Sequence, residues 1–226
     1  MIHSLSSPAL VFDLDGTLVD TAPDLLGALN AILTREGREP VEARDLRHLV
    51  GFGSRTMLIE AFEKTGTPVD EARLPGLIDA YVDHYRRNIA NGSRPFAGVE
   101  PALKDLKAAG ARLGVLTNKP QELADLLLPA LKMTHYFEAI HGAGRMDVAK
   151  PDARVFHAVV EAMGGPGKGA VMIGDSKTDV ATARAAGVPA VVVRYGYTPA
   201  PPETLGADAV IDNFAELPLL VERLLA

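Results

Sequence analysis

The spacing of apolar residues changes character twice along the chain. Ala9–Leu14 is a short apolar run containing Val11 and Phe12, and it stops at Asp15-Gly16; the pattern predicts a buried strand ending in a tight turn. From about Thr21 to Asn91 the rhythm is helical. Leu25, Leu26, Leu29, Ile32 and Leu33 form one stripe, Met57, Leu58, Ala61 and Phe62 a second, and Leu77, Ile78, Tyr81, Val82 and Tyr85 a third. No run in this stretch reads as a strand, so an all-helical block of about four helices is predicted directly after the first strand. Beyond Pro95 the two patterns alternate. Helices are predicted over Val99–Ala109, Pro120–Leu131, Asp152–Met163, Lys177–Ala186 and Phe214–Leu225, with Gly110 and Gly187 as stop signals. Strands are predicted over Arg112–Leu116, Phe137–Ile140, Ala170–Ile173, Ala190–Val193 and Ala209–Ile211. Alternation of this kind predicts an α/β fold with a doubly wound parallel sheet. Strands such as Ala170–Ile173 are apolar on both faces, as helices covering both sides require.

Composition narrows the function classes. At 226 residues the chain is long enough for one large domain, or for a domain with a smaller insert. The net charge of −6 argues against a broad nucleic-acid surface but leaves room for a small phosphorylated ligand, whose charge a local lysine or a metal ion can meet. With no cysteine, thiolate catalysis, disulfides and Cys-ligated zinc are excluded. His48, His84, His135, His141 and His157 show no ligand spacing. No apolar run approaches the ~18 residues of a membrane helix. The N-terminal residues lack the basic flank and unbroken apolar segment of a secretory signal, so a cytoplasmic location is expected.

In a doubly wound sheet, ligands sit beyond the carboxyl ends of the strands. The predicted strand ends carry Asp13-Leu14-Asp15-Gly16-Thr17, then Thr117-Asn118-Lys119, then the loop with Lys150-Pro151, then Gly174-Asp175-Ser176 with Asp179 one helical turn on. In a regular strand Asp13 and Asp15 would point the same way. With Asp175 beside them, three carboxylates repel unless a hard cation intervenes, and oxygen ligands without His or Cys indicate Mg²⁺. Thr117, Asn118 and Lys150 offer a hydroxyl, an amide and an ammonium to phosphate oxygens. Gly16 and Gly174 allow close backbone approach. Taken singly, each segment has a bland reading as well. Asp13–Gly16 is a strand-end turn, Thr117-Asn118 a cap on the next helix, Asp175 and Asp179 helix-capping acids, and Lys119 a solvated or rim residue.

Taken together, and in this order, Asp-x-Asp-Gly-Thr, Thr-Asn, Lys-Pro and Gly-Asp-Ser-x-x-Asp resemble the haloacid dehalogenase superfamily. The resemblance implies a Rossmann-like catalytic core built from residues 1–19 and 93–226, with a helical cap over residues 20–92 that sets substrate specificity. It implies Asp13 as a nucleophile that forms an aspartyl phosphate, and Asp15 as the acid that protonates the leaving oxygen and then activates water. Mg²⁺ is implied on Asp13, the backbone carbonyl of Asp15, and Asp175. Thr117 and Lys150 are implied phosphate ligands, assisted by Asn118, with Asp179 and Ser176 behind them. The acid at Asp15 favours phosphoryl transfer over dehalogenation. Lys64 is the sole lysine of the cap and nothing local marks it as the Schiff-base lysine of phosphonate hydrolysis.

Substrate choice is expected to lie in the cap, where Val50–Arg55 reads as a loop opening a helix, with Gly53 and Arg55 as candidate anion contacts. VGFGSRTML, LTNKP and the C-terminal RYGYTPAPPETLGADAVIDNFAEL resemble the phosphoglycolate phosphatases, which puts 2-phosphoglycolate first among small phosphate monoesters. Two rivals stand beside that reading: a phosphosugar mutase of the β-phosphoglucomutase type, and a non-enzymatic phospho-acceptor signalling domain. The partner expected is a small phosphorylated metabolite, with no nucleic acid or membrane and the chain a monomer or homodimer.

Overall fold

The computed structural model describes residues 7–42 and 49–226. Six parallel strands make the central sheet: β1 Ala9–Phe12, β4 Arg112–Pro120, β5 Ala139–Ala143, β6 Ala170–Gly174, β7 Ala190–Val193 and β8 Ala209–Ile211. Their order is β5-β4-β1-β6-β7-β8. β1 lies at the centre, with Ala9 opposite Arg112 of β4 on one side and opposite Ala170 of β6 on the other. The chain winds outward in one direction after β1 and in the other after β6. Their carboxyl ends therefore flank the crevice where such sheets bind ligands.

The period-two alternation of each strand divides the core into two layers. Leu10 and Phe12, with Leu113, Val115, Val171 and Ile173, face α4 (Val99–Ala108), α5 (Gln121–Ala130) and α8 (Leu217–Leu224). Ala9 and Val11, with Met172 and Val192, face α6 (Ala153–Ala162) and α7 (Lys177–Ala186). Phe12 has no exposed surface and its ring centroid lies 5.9 Å from that of Phe214; burial of such a side chain contributes roughly 1.5–3 kcal/mol.

The helical block follows β1 and contains, among the described residues, α1 (Ala22–Arg35), α2 (Gly53–Lys64) and α3 (Leu74–Arg87). About four helices are expected there; three are described, and residues 43–48, with His48, lie outside the described residues. The three stripes read from the sequence meet in one cluster that includes Leu29, Leu33, Leu58, Phe62, Leu77 and Tyr85. Leu123 of α5 and Tyr197 join that cluster from the sheet side. The two chain crossings between block and sheet are bound to each other. β2 (Val19–Asp20) pairs antiparallel with β3 (Arg94–Pro95), Val19 opposite Pro95. Just inside that ladder, buried Asp24 accepts from the Gly92 N–H at 2.7 Å and the Ser93 hydroxyl at 2.6 Å. Two-residue strands are too short to show a period, so the sequence carries no sign of this ladder.

Among the element boundaries that differ from expectation, two have identifiable reasons. The segment expected as one helix, Phe214–Leu225, is a 3₁₀ turn over Phe214–Glu216 followed by α8. Pro218 lacks an N–H and fits the first turn of α8 but not a helix interior. Pro120, expected to open a helix, is instead the last residue of β4 and pairs with Ala143 across a register shift. Thr117, Asn118 and Lys119 therefore sit within β4 rather than after it.

Candidate active site

β1 delivers Asp13 one residue past its end. The Asp13 N–H still donates to the Ile173 carbonyl at 2.8 Å, and the chain then turns through Gly16, whose φ is +84°. A turn, rather than the two-residue strand period, sets the separation of Asp13 from Asp15. A Cβ on Gly16 would lie 2.7 Å from Asp175 Oδ2, so the turn needs glycine both for its dihedral and for this approach. A Cβ on Gly174 would lie 2.3 Å from Asp179 Cγ, which explains the second glycine read from the sequence.

The carboxylates are fixed from all sides. Asp13 Oδ1 accepts from the Leu14 N–H at 2.7 Å and faces Lys150 Nζ at 2.9 Å. Both contacts fall on Oδ1, which leaves Oδ2 for the cavity. Lys150, 3% exposed at its side chain, also bonds Asp179 Oδ1 at 2.7 Å. Asp179 Oδ2 accepts from the Ser176 N–H at 3.0 Å and the Ser176 hydroxyl at 2.6 Å, while Ser176 caps α7 in return. Asp179 is thus a helix-capping acid and the residue behind Lys150 at once. Asp175 accepts from the Thr17 hydroxyl at 3.1 Å and the Tyr197 N–H at 2.7 Å.

Carboxylate oxygens of Asp13, Asp175 and Asp179 lie within 4.8 Å of one another. Burial is the main reason Asp13 is pushed up to about 6 and Asp175 to about 8; Lys150 opposes the rise at Asp13, and neighbouring carboxylates add to it at both. Burial acts to lower the Lys150 ammonium pKa, but Asp13 and Asp179 override it and hold that pKa above the ordinary range. The trio carries more negative charge than one lysine offsets, and its donors are all hard oxygens, so the site fits a divalent cation. Asp15 is expected to offer a metal its backbone carbonyl; its carboxylate lies outside the trio.

Above these residues opens a cavity of about 520 Å³, with Asp13, Asp15, Thr117, Asn118, Lys150 and Asp175 all in its lining. Every core residue singled out for chemistry is brought to one place. Three details differ from expectation. Lys119, expected to be solvated or at the rim of the site, lines the cavity but is buried, and its Nζ bonds Asp15 at 3.1 and 3.2 Å; its partner is 104 residues away, and no local pattern reports it. The Asn118 amide is turned onto the Lys150 backbone, accepting from its N–H at 3.0 Å and donating to its carbonyl at 3.2 Å, so it positions the lysine loop. Arg55 is outside the cavity lining, in an exposed ion pair with Glu71 at 2.8 Å, whereas Gly53 does line it.

Tyr197 was not among the residues singled out, although it follows β7 as Asp13 follows β1 and Asp175 follows β6. Besides its N–H bond to Asp175, its hydroxyl accepts from the Thr21 and Ala22 N–H groups at 2.7 and 3.0 Å and donates to Asp20 at 2.7 Å. It satisfies free amides at the start of α1 and links the acidic trio to the crossing into the helical block.

Comparison with known proteins agrees with this geometry. The haloacid dehalogenase-like hydrolase family model matches residues 10–193, from β1 to the end of β7. The chain belongs to this family. Among its relatives, a phosphoglycolate phosphatase from Caulobacter vibrioides is 49% identical over 96% of this chain and 92% of that protein. One from Agrobacterium fabrum is 43% identical over 97% and 95%. Of solved structures, a predicted phosphoglycolate phosphatase from Haemophilus somnus superposes with a TM-score of 0.87 at 27% identity, covering 96% of this chain and 98% of that one. As a haloacid dehalogenase-like hydrolase, this chain is an enzyme, and no helix among the described residues is long and apolar enough to cross a membrane.

Proposed function

We propose that this hydrolase cleaves small phosphate monoesters, 2-phosphoglycolate first, with the phosphoryl group carried on Asp13. The observation that carries the reading is the state of Asp13: one oxygen tied to Lys150 and the Leu14 amide, the other free at the floor of a cavity shared with Thr117 and Asp15. The relatives' names support the substrate. In this reading residues 1–19 and 93–226 form the catalytic core and 20–92 the cap that selects the ester.

Asp13 Oδ2 attacks phosphorus, and the bond from phosphorus to the ester oxygen breaks. Asp15 gives its proton to that departing oxygen. Asp15 then takes a proton from water, the water oxygen attacks phosphorus, and the Asp13–phosphoryl bond breaks to release phosphate. Lys150 and the Thr117 hydroxyl hold the phosphoryl oxygens, and Asn118 keeps the Lys150 loop in place. Asp13, Asp175 and the Asp15 backbone would hold Mg²⁺, which when bound supplies positive charge against the phosphoryl oxygens.

The rival mutase must bind a sugar rich in hydroxyls. The described part of the cavity roof is dominated by Leu25, Val50, Phe52, Met57 and Val82, which offers such a ligand few side-chain partners. The test is phosphate release in Mg²⁺ over a panel of small esters. Stoichiometric free phosphate, with 2-phosphoglycolate giving the highest kcat/KM, is expected. Isomerisation of glucose phosphates without free phosphate would replace the proposal with a mutase, and a lasting phospho-aspartate without turnover with a signalling domain.

A further inference from the structure

Among the described residues, the cavity lining includes a buried hydroxyl with no hydrogen-bond partner. α3 presents Tyr81 and Tyr85, one turn apart, to the cavity. Tyr81 Oη rests 3.6 Å from Met57 Sδ. Tyr85 is 1% exposed and its Oη has no hydrogen-bond partner. Buried hydroxyls are rarely left unpaired, because desolvation is then uncompensated.

A second group, from the opposite side of the cavity, meets the same ring. Lys119 Nζ lies 4.6 Å from the Tyr85 ring centroid, and the lysine side chain is 3% exposed. Asp15 is the one carboxylate on this ammonium among the described residues, which leaves donor capacity unspent. The ring that carries the unused hydroxyl and a buried ammonium therefore meet beside Asp15, the acid that in the proposed reaction protonates the leaving oxygen. The lining around them includes Leu25, Met57, Val82 and Leu123, which favours a short ligand with one anionic end.

We infer that Tyr85 Oη and Lys119 Nζ bind the carboxylate of the leaving group, selecting phosphate esters of short hydroxy acids over esters of neutral alcohols. The inference rests on the phosphatase reading and names the residues that recognise its substrate. A carboxylate accepts from both donors, whereas a methyl group in its place leaves the Tyr85 hydroxyl unpaired and the ammonium with Asp15 alone. In 2-phosphoglycolate one methylene separates carboxylate from ester oxygen, which matches the placement of Lys119 against Asp15.

The experiment compares kcat/KM for 2-phosphoglycolate and ethyl phosphate in the wild type, Tyr85→Phe and Lys119→Met, with Mg²⁺ present. The ratio of the two substrates is expected to fall about tenfold in Tyr85→Phe and more in Lys119→Met, chiefly through the KM for 2-phosphoglycolate. A structural role would lower both substrates together, so an unchanged ratio in both variants overturns the inference. Direct calorimetric binding of 2-phosphoglycolate separates this test from the catalytic reading. If the wild type turns over neither ester, the phosphatase reading fails, and a Kd weakened about tenfold in Tyr85→Phe still supports the subsite. An unchanged Kd in both variants overturns it.

Discussion

The floor and the roof of the cavity are built on opposite principles. The floor is polar and nearly every atom in it is spoken for: Lys150 between two carboxylates, Asp179 under a helix N-terminus, Asp175 held by Thr17 and Tyr197. The roof, among the described residues, is largely apolar side chains, with the buried Tyr85 hydroxyl left without a partner. A preorganised polar floor suits charge that develops during reaction, since its dipoles need not reorganise. An apolar roof does little for phosphoryl chemistry but can discriminate by shape and by a few donors. In our reading the floor sets the reaction and the roof sets its substrate.

The contrast breaks most sharply at Asp13. Asp13→Asn should cut phosphate release by about 10⁴-fold or more for every ester tested, because the amide is a poor nucleophile of the same shape. Thermal denaturation alongside the assay checks that the fold survives, and residual activity near wild type would dissolve the division of labour.

Charge in the floor gives the next effect. Removal of divalent ions with EDTA should bring turnover to background and Mg²⁺ should restore it. Asp175 is pushed up to about 8, so without a cation it binds a proton at neutral pH that the unfolded chain has already lost. A carboxyl whose folded pKa is raised favours the native state below its unfolded value, and that contribution is lost as pH rises through the folded value. The metal-free protein should therefore lose Tm between about pH 4 and pH 8, and Mg²⁺ should raise Tm more at pH 8.5 than at pH 6.5. Calorimetric scans with and without Mg²⁺ read this directly; a Mg²⁺ shift that does not vary with pH would count against the trio as the metal site. The smallest effect belongs to the roof's outer surface. Arg55→Ala should leave kcat/KM for 2-phosphoglycolate within about twofold and cost no more than about 1 kcal/mol, as exposed ion pairs do. A large rise in KM would return Arg55 to the binding site.

The floor was more legible in the sequence than the roof, for a physical reason. Asp13, Thr117 and Asp175 are each marked by position near the end of an apolar run, and Lys150 by the Lys-Pro pair in the loop after another, and the geometry of a parallel sheet gathers such ends. What escaped was non-local pairing. Lys119 reads as a solvated or rim lysine until Asp15 is folded against it, and Tyr197 has no meaning before Asp20 and Asp175 are its neighbours. In the roof, Tyr85 belongs to the helical stripe that makes the core of the block, so periodicity explains it as packing and hides its free hydroxyl. Arg55 shows the reverse: a cation after two glycines suggests an anion site, yet Glu71 already provides its anion.

The short ladder of β2 with β3 has a consequence for how such a molecule can change over time. Because Val19 lies opposite Pro95, the chain leaves the sheet layer and re-enters it at nearly the same point. Topologically, everything between is one large loop with its ends already closed, and loop length adds to closure entropy only logarithmically. Helices can be lengthened, lost or exchanged there while the six-strand order is undisturbed, so under the proposed cap reading new substrates can be explored by insertion and replacement without refounding the scaffold.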